Sequence, residues 1–352
     1  MTFPLDPLPC PSSFARRRRL LQALALAPAA ALPGRAALAQ PLQRLRVQLG
    51  WVANVQYAGE WIAQERGLFK ANGLETEILP GGPNALPAPV VLAAGKVAIG
   101  YSSWFPILDA VAKGNPIVIV GAVFPKNPMG VLSLSRKPIR KAADLVGARL
   151  LVQGPNERTA IEATLKLAGL PANWTAVPAG FSPEPLLAGD GDGYTAFSTN
   201  QPIVLEKMGM RWGKDFFFTT FDEMGFRSLG AVLVTMRDYL DRHRDAVVAY
   251  VRSISQGWEQ NEKDPAYAAK LAVQKYGADL GMDLQQQIRQ NELQIPLARN
   301  DKPGMPRLAL DHDTIAGPLY AAARATGRTS LPDIDNLVDF SVVAEASRPA
   351  KR

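Results

Sequence analysis

The feature that most constrains this chain is a succession of three short strands between Leu45 and Trp104, each ending in a loop of aromatic, small polar or glycine residues. Leu45 to Leu49 alternates in polarity, as a half-buried strand does, and breaks at Gly50 into Trp51-Val52-Ala53-Asn54-Val55-Gln56-Tyr57. A helix follows with Val55, Ala58 and Ile62 on one face and Gly67 as its stop. Glu75 to Leu79 is the second strand and ends in Pro80-Gly81-Gly82-Pro83-Asn84. After another helix, Val97 to Tyr101 is the third and runs into Tyr101-Ser102-Ser103-Trp104. Ligands of open α/β sheets bind outside the carboxyl ends of the strands, so these three loops are expected to line one wall of a cleft.

Further along, a helix from Phe105 to Lys113 leads to an apolar strand, Ile117 to Val123, and then to a strand at Val131 to Leu134. The β-α alternation predicts a parallel sheet covered by helices on both faces. The polar segment Ser135 to Arg140 reads as a crossing, after which strands at 149–153, 174–177, 194–197 and 216–220 form a second unit. Ala231 to Thr235 reads as the return. Most of the remainder is helical: Arg237 to His243, Asp245 to Gln260, a helix capped by Asp264 with Pro265 at its first position, Leu284 to Gln294, and Leu308 to Thr326. The expected fold class is therefore α/β with two lobes and two crossings. Lobe 1 takes residues 40–134 plus 231–345, and lobe 2 takes 135–230.

Residues 1–39 read as an export segment and are set apart from the fold. Arg16 to Arg19 precede an apolar run, Leu20 to Leu32, that is too short to span a bilayer. Ala37-Leu38-Ala39 fits a cleavage site, and Arg17-Arg18-Arg19-Leu20-Leu21 resembles a twin-arginine signal, with a Sec signal as the alternative. A periplasmic location follows. This segment carries +4 of the formal net charge of +7, so the remainder is too weakly basic to argue for nucleic acid. Cys10, the one cysteine, precedes the apolar run, which argues against a lipoprotein anchor, and the expected mature chain has no disulfide, thiolate metal site or cysteine nucleophile.

The candidate ligand residues sit at strand ends. Trp51 and Tyr57 offer flat faces, and Asn54 offers a donor and an acceptor to a ring edge. The same residues fit a core-capping Trp and a helix-capping Asn. Tyr101, Ser102 and Trp104 repeat the chemistry at the next strand end, with a helix cap over buried aromatics as the other reading. Gly82 lets backbone approach a ligand or stiffens a turn. In the second unit Asn156, before a helix N-terminus, Asn200, and the acid Asp222 complete the set. The two histidines, His243 and His312, lie in charged helical segments, and neither a nucleophile elbow nor metal-ligand spacing is present. No cofactor is expected, and no catalytic residue.

The runs Leu49 to Gly59, Glu65 to Phe69 and Asn72 to Glu75, with Gly95 to Gly100 and Ala142 to Gly147, resemble the thiamine-pyrimidine-precursor binding proteins. These are periplasmic solute-binding proteins of ABC transporters in the NMT1/THI5-like group, with more distant nitrate, sulfonate and taurine binders. The resemblance covers roughly residues 45–260. It implies a two-lobed fold that closes on its ligand, with Trp51 and Asn54 on a heterocycle, an inner-membrane permease as partner and a monomeric state. The run Ile78 to Asn84 and Thr199-Asn200-Gln201-Pro202 are more similar to a riboflavin-associated branch. Eukaryotic relatives are pyrimidine synthases with a cysteine-rich motif and an active-site His, which this sequence lacks. The expected function is delivery of an aromatic nitrogen heterocycle, a pyrimidine precursor of thiamine or a riboflavin-like ring, to an importer. The alternatives are a nitrate, alkyl sulfonate or taurine binder on the same fold, and a periplasmic enzyme.

Overall fold

Ten strands build two five-stranded sheets of matching plan in the computed structural model, which describes residues 41–348 apart from 83 and 301. The export segment, with its cleavage site and Cys10, lies outside the described residues. The first sheet contains β1 (Gln43–Gln48), β2 (Leu74–Leu79), β3 (Ile99–Ser102), β4 (Ile117–Phe124) and β10 (Ala231–Met236), in the order β2-β1-β3-β10-β4. The second contains β5 (Met129–Leu134), β6 (Arg149–Val152), β7 (Thr175–Pro178), β8 (Gly193–Phe197) and β9 (Phe216–Thr220), in the order β7-β6-β8-β5-β9.

Neither sheet is wholly parallel, contrary to the expectation from the β-α alternation. β1 runs parallel to β2 and β3, but β10 is antiparallel to β3 and β4. β6 runs parallel to β7 and β8, but β5 is antiparallel to β8 and β9. In each sheet the antiparallel strand is the one delivered from the other. The chain leaves the first sheet after Phe124 and returns beside it, where the Gly230 N–H donates to Phe124 O at 2.8 Å. A strand entering at the edge where its neighbour ended has to run the opposite way. The first crossing therefore lies between Phe124 and Met129, not at 135–140, and β5 belongs to the second sheet.

β4 is buried along its whole length, as a strand covered on both faces should be. One cover is the helix Arg237–Lys263, which breaks at His243 (φ −132°, ψ 35°), the point that separates the two helices expected there. It crosses the helix Ala58–Glu65 glycine against glycine. A Cβ on Gly257 would sit 2.1 Å from Gly59 O, and one on Gly59 2.4 Å from Trp258 Cδ1. The segment expected as one helix over 308–326 is instead His312–Thr314, a wider turn at Ile315–Leu319, and Tyr320–Ala325. Pro318, inside the wide turn, has no N–H to give the regular ladder.

The helix Leu284–Gln294 holds both halves together. Gln287 Oε1 accepts from the Val55 N–H at 2.9 Å, and Gln294 Nε2 donates to Val55 O at 2.7 Å, pinning the chain just past the first-strand loop. The opposite side of the helix meets Gln201–Lys207, which follows β8. Arg289 grips Glu206 through Nε (3.0 Å) and Nη2 (2.9 Å), and Lys207 Nζ lies 2.9 Å from Asp283 Oδ1. No helix among the described residues is long and apolar enough to cross a membrane.

Candidate functional site

A pocket of about 290 Å³ opens at the carboxyl ends of β1 and β3, with the loop after β2 and the return crossing at Gly230-Ala231 completing its wall. Its geometry is set by backbone contacts between adjacent strand-end loops. Leu49 N–H donates to Leu79 O and Gly81 N–H donates to Trp51 O, both at 2.9 Å. Gly81 lies so close to the first loop that a Cβ would be 2.3 Å from Leu49 O and 2.8 Å from Trp51 N. Only glycine allows the two loops to seat together, and that contact fixes the backbone that carries Trp51. The Trp51 side chain is left 46% exposed at the pocket.

Five of the ten candidate residues line this pocket: Trp51, Tyr57, Gly82, Tyr101 and Ser102. Tyr57 and Tyr101 do so as nearly buried rings, packed edge to face with centroids 5.1 Å apart. Their hydroxyls belong to the core, since Tyr101 Oη donates to Glu60 Oε1 and Tyr57 Oη is buried. Neither phenol is free to stack its face on a ligand, so the expected stacking surface reduces to Trp51.

Trp104 is a correction. Its side chain is fully buried and packs against Tyr320, ring centroids 6.4 Å apart, in the core beneath the helix Trp104–Ala112. It is core, as its spacing to Ile107 and Leu108 on one helical face requires. Asn54 takes its capping role: Oδ1 accepts from the Gln56 N–H at 2.9 Å, its carbonyl accepts from Trp61 Nε1 at 2.8 Å, and it does not line the pocket.

The second-lobe candidates are not gathered here. Asn156 is exposed in the first turn of the helix Pro155–Leu167. Asn200 Oδ1 sits 3.5 Å from Gln286 Nε2, beside the Glu206–Arg289 pair. Asp222 Oδ1 faces Arg227 Nε at 3.8 Å, and its neighbour Glu223 accepts from the Thr220 N–H at 2.7 Å. Sequence reasoning passed over Gln48, which also lines the pocket, as does Ser103 of the third strand-end loop. Gln48 Nε2 donates to Leu86 O at 2.8 Å. Ser103 occupies the N-cap position of Trp104–Ala112 without a side-chain cap bond.

None of the described lining residues carries a charge. Arg44, Arg46, Lys96 and Arg242 line a second pocket of about 320 Å³, where Arg44 and Arg46 pair with Glu75 and Glu77 and Arg242 pairs with Asp238. Of the histidines, His243 Nδ1 lies 3.4 Å from Gln43 Nε2 and the His312 ring stands 6.4 Å from that of Phe340; neither is in the pocket. No cluster of potential metal ligands occurs among the described residues.

Two sheets of matching order, joined by two crossings, with a pocket at the strand ends of the first, are the two-lobed α/β architecture of the periplasmic binding proteins. The fold is shared with the periplasmic aliphatic sulphonate-binding protein of Escherichia coli (TM-score 0.59, 14% identity, 83% of this chain and 94% of that one). The chain belongs to the NMT1/THI5-like family, whose model matches residues 54–268. Its relatives include a 4-amino-5-hydroxymethyl-2-methylpyrimidine phosphate synthase of Schizosaccharomyces pombe, 24% identical over 66% of this chain and 70% of that protein. A formylaminopyrimidine-binding protein of Halalkalibacterium halodurans is 23% identical over 76% of this chain and 81% of its own.

Proposed function

We infer that this chain is the periplasmic solute-binding component of an ABC importer and that it takes an uncharged aromatic nitrogen heterocycle. The observation that carries the reading is a pocket with no charged lining residue and one half-exposed indole, at the strand ends where open sheets bind ligands. Trp51 supplies a flat apolar face. Gln48, Gln56, Ser102 and Ser103 supply donors and acceptors for the ring edge. An anion such as nitrate or a sulfonate would need convergent cations there. The volume of about 290 Å³ is at the small end of small-molecule sites, about 300–1,000 Å³, and favours a one-ring pyrimidine over a three-ring flavin.

Binding is coupled to closure of lobe 2, which in this reading begins after Phe124 and ends at Gly230. Closure brings Asn156, Asn200 and Asp222 toward the ligand, and a ligand touching both lobes only in the closed form shifts the population toward it. None of the described lining residues is a His, Cys, Lys or acid, which favours binding over turnover although some relatives are named as synthases.

Native mass spectrometry and thermal shift against formylaminopyrimidine, hydroxymethylpyrimidine, riboflavin, taurine and nitrate test the reading. Binding by a pyrimidine is expected. Binding by taurine or nitrate alone would overturn it, and conversion of a pyrimidine by the purified protein would establish the enzyme instead.

A further inference from the structure

Directly under the pocket, the helix Ala58–Glu65 buries a carboxyl group. Glu60 has no exposed surface, and phenols from two elements meet it, Tyr101 on β3 and Tyr250 on the helix Arg237–Lys263, while Tyr57 on the preceding turn packs edge to face on Tyr101. Tyr101 Oη donates to Glu60 Oε1, and Tyr250 Oη reaches the same oxygen at 3.2 Å. Glu60 Oε2 and Tyr57 Oη are both buried without a hydrogen-bond partner. No Lys, Arg or His pairs with Glu60 among the described residues.

We propose that Glu60 is a positioning residue of the pocket, held as the neutral acid, whose carboxyl group fixes the Tyr101 ring, and through its edge-to-face contact the Tyr57 ring, beneath the ligand. A buried carboxylate without a cation is strongly disfavoured, and protonation removes that cost. In the neutral acid Oε1 still accepts from Tyr101 and Tyr250, and the unpaired Oε2 carries no charge that burial would penalise. Burial pushes the Glu60 carboxyl up to about 8, which agrees with this state, and burial likewise raises Tyr57 and Tyr250. Ionisation above that pH places a charge under two rings of the pocket wall and disturbs their pose.

The role rests on the pocket being the ligand site, so the test has one arm without ligand. A carboxyl raised from about 4.5 binds its proton in the folded state, so its contribution is full below pH 4.5 and is lost as pH rises toward 8. Melting of wild type should therefore fall relative to Glu60→Gln, by about 4 °C or more between pH 5 and 8. In the ligand arm, with formylaminopyrimidine as probe, wild-type affinity should drop several-fold from pH 7 to 9. Glu60→Gln should keep the pH 7 affinity and lose the pH dependence, and Glu60→Leu should bind at least tenfold more weakly while still folding by circular dichroism. Parallel melting profiles for wild type and Glu60→Gln would overturn the neutral acid, and wild-type affinity in Glu60→Leu would overturn the positioning role. A probe that binds none of the three proteins defeats the pyrimidine reading, while the melting profile still decides the state of Glu60.

Discussion

Two tryptophans at adjacent strand ends should respond in opposite ways to the same substitution. Trp51 is 46% exposed at the pocket, whereas Trp104 is wholly buried against Tyr320. Trp51→Ala removes a stacking surface and little core, so ligand affinity should fall by about 1–3 kcal/mol, on the order of 5- to 150-fold in Kd, the range for losing one stacking aromatic. Its melting temperature should move by no more than about 2 °C, since surface changes stay near ±0.5 kcal/mol. Trp104→Ala instead empties a core site and should cost about 3–5 kcal/mol. That corresponds to a fall of roughly 10 °C in a domain of this size. Because Trp104 does not line the pocket, its affinity at a temperature where it stays folded should remain within about threefold of wild type, under 1 kcal/mol. Calorimetric titration and scanning calorimetry on both variants read all four numbers. Undiminished affinity in Trp51→Ala, or a Trp104→Ala protein that melts normally but binds poorly, would refute the assignment of which indole meets the ligand.

Three further outcomes follow from the contacts described above. Gly81→Ala forces a Cβ onto Leu49 O, so denaturant titration should show a loss of about 1–3 kcal/mol together with weakened binding, because the displaced backbone carries Trp51. A double-mutant cycle on Arg289 and Glu206, 40% and 26% exposed, should give a coupling of about 0.5–1 kcal/mol in urea unfolding at low salt that shrinks at high salt. Asp339 is held down to about 2, against its own burial, by Arg244 and the Ser341 contacts. Its stabilisation is therefore present above the unfolded value of about 3.9 and lost as pH falls toward 2. Asp339→Asn should be less stable than wild type at pH 7 by about 1–3 kcal/mol, with the gap closing between pH 4 and 2 in acid unfolding followed by circular dichroism.

Strand positions were legible because polarity alternation and turn residues are local, and the extents of β1, β4 and β9 lie within two residues of the sequence reading. Partner choice is not local. The apolar run at Val131 to Leu134 looks the same whether it extends the first sheet or opens the second, and only the long-range pairing with β8 and β9 decides. In the site, the loops that meet were legible from their place at strand ends. Which ring faces outward was partly legible as well: Trp104 stands three and four residues before Ile107 and Leu108, the spacing of a buried stripe, whereas Trp51 has only Val55 at that spacing, with Asn54 at the other position. Glu60 left a similar signal, the one acid in the buried and otherwise apolar run Ala58 to Ala63.

The late arrival of β10 has a consequence for biosynthesis. β4 touches the remainder of its sheet only through β10, which is made more than a hundred residues later. A ribosome-bound intermediate that stops short of Met236 carries β4 as an orphan with its hydrogen-bonding edge bare. Any truncation before that residue should yield a sticky, protease-sensitive product, however intact the intervening five strands are.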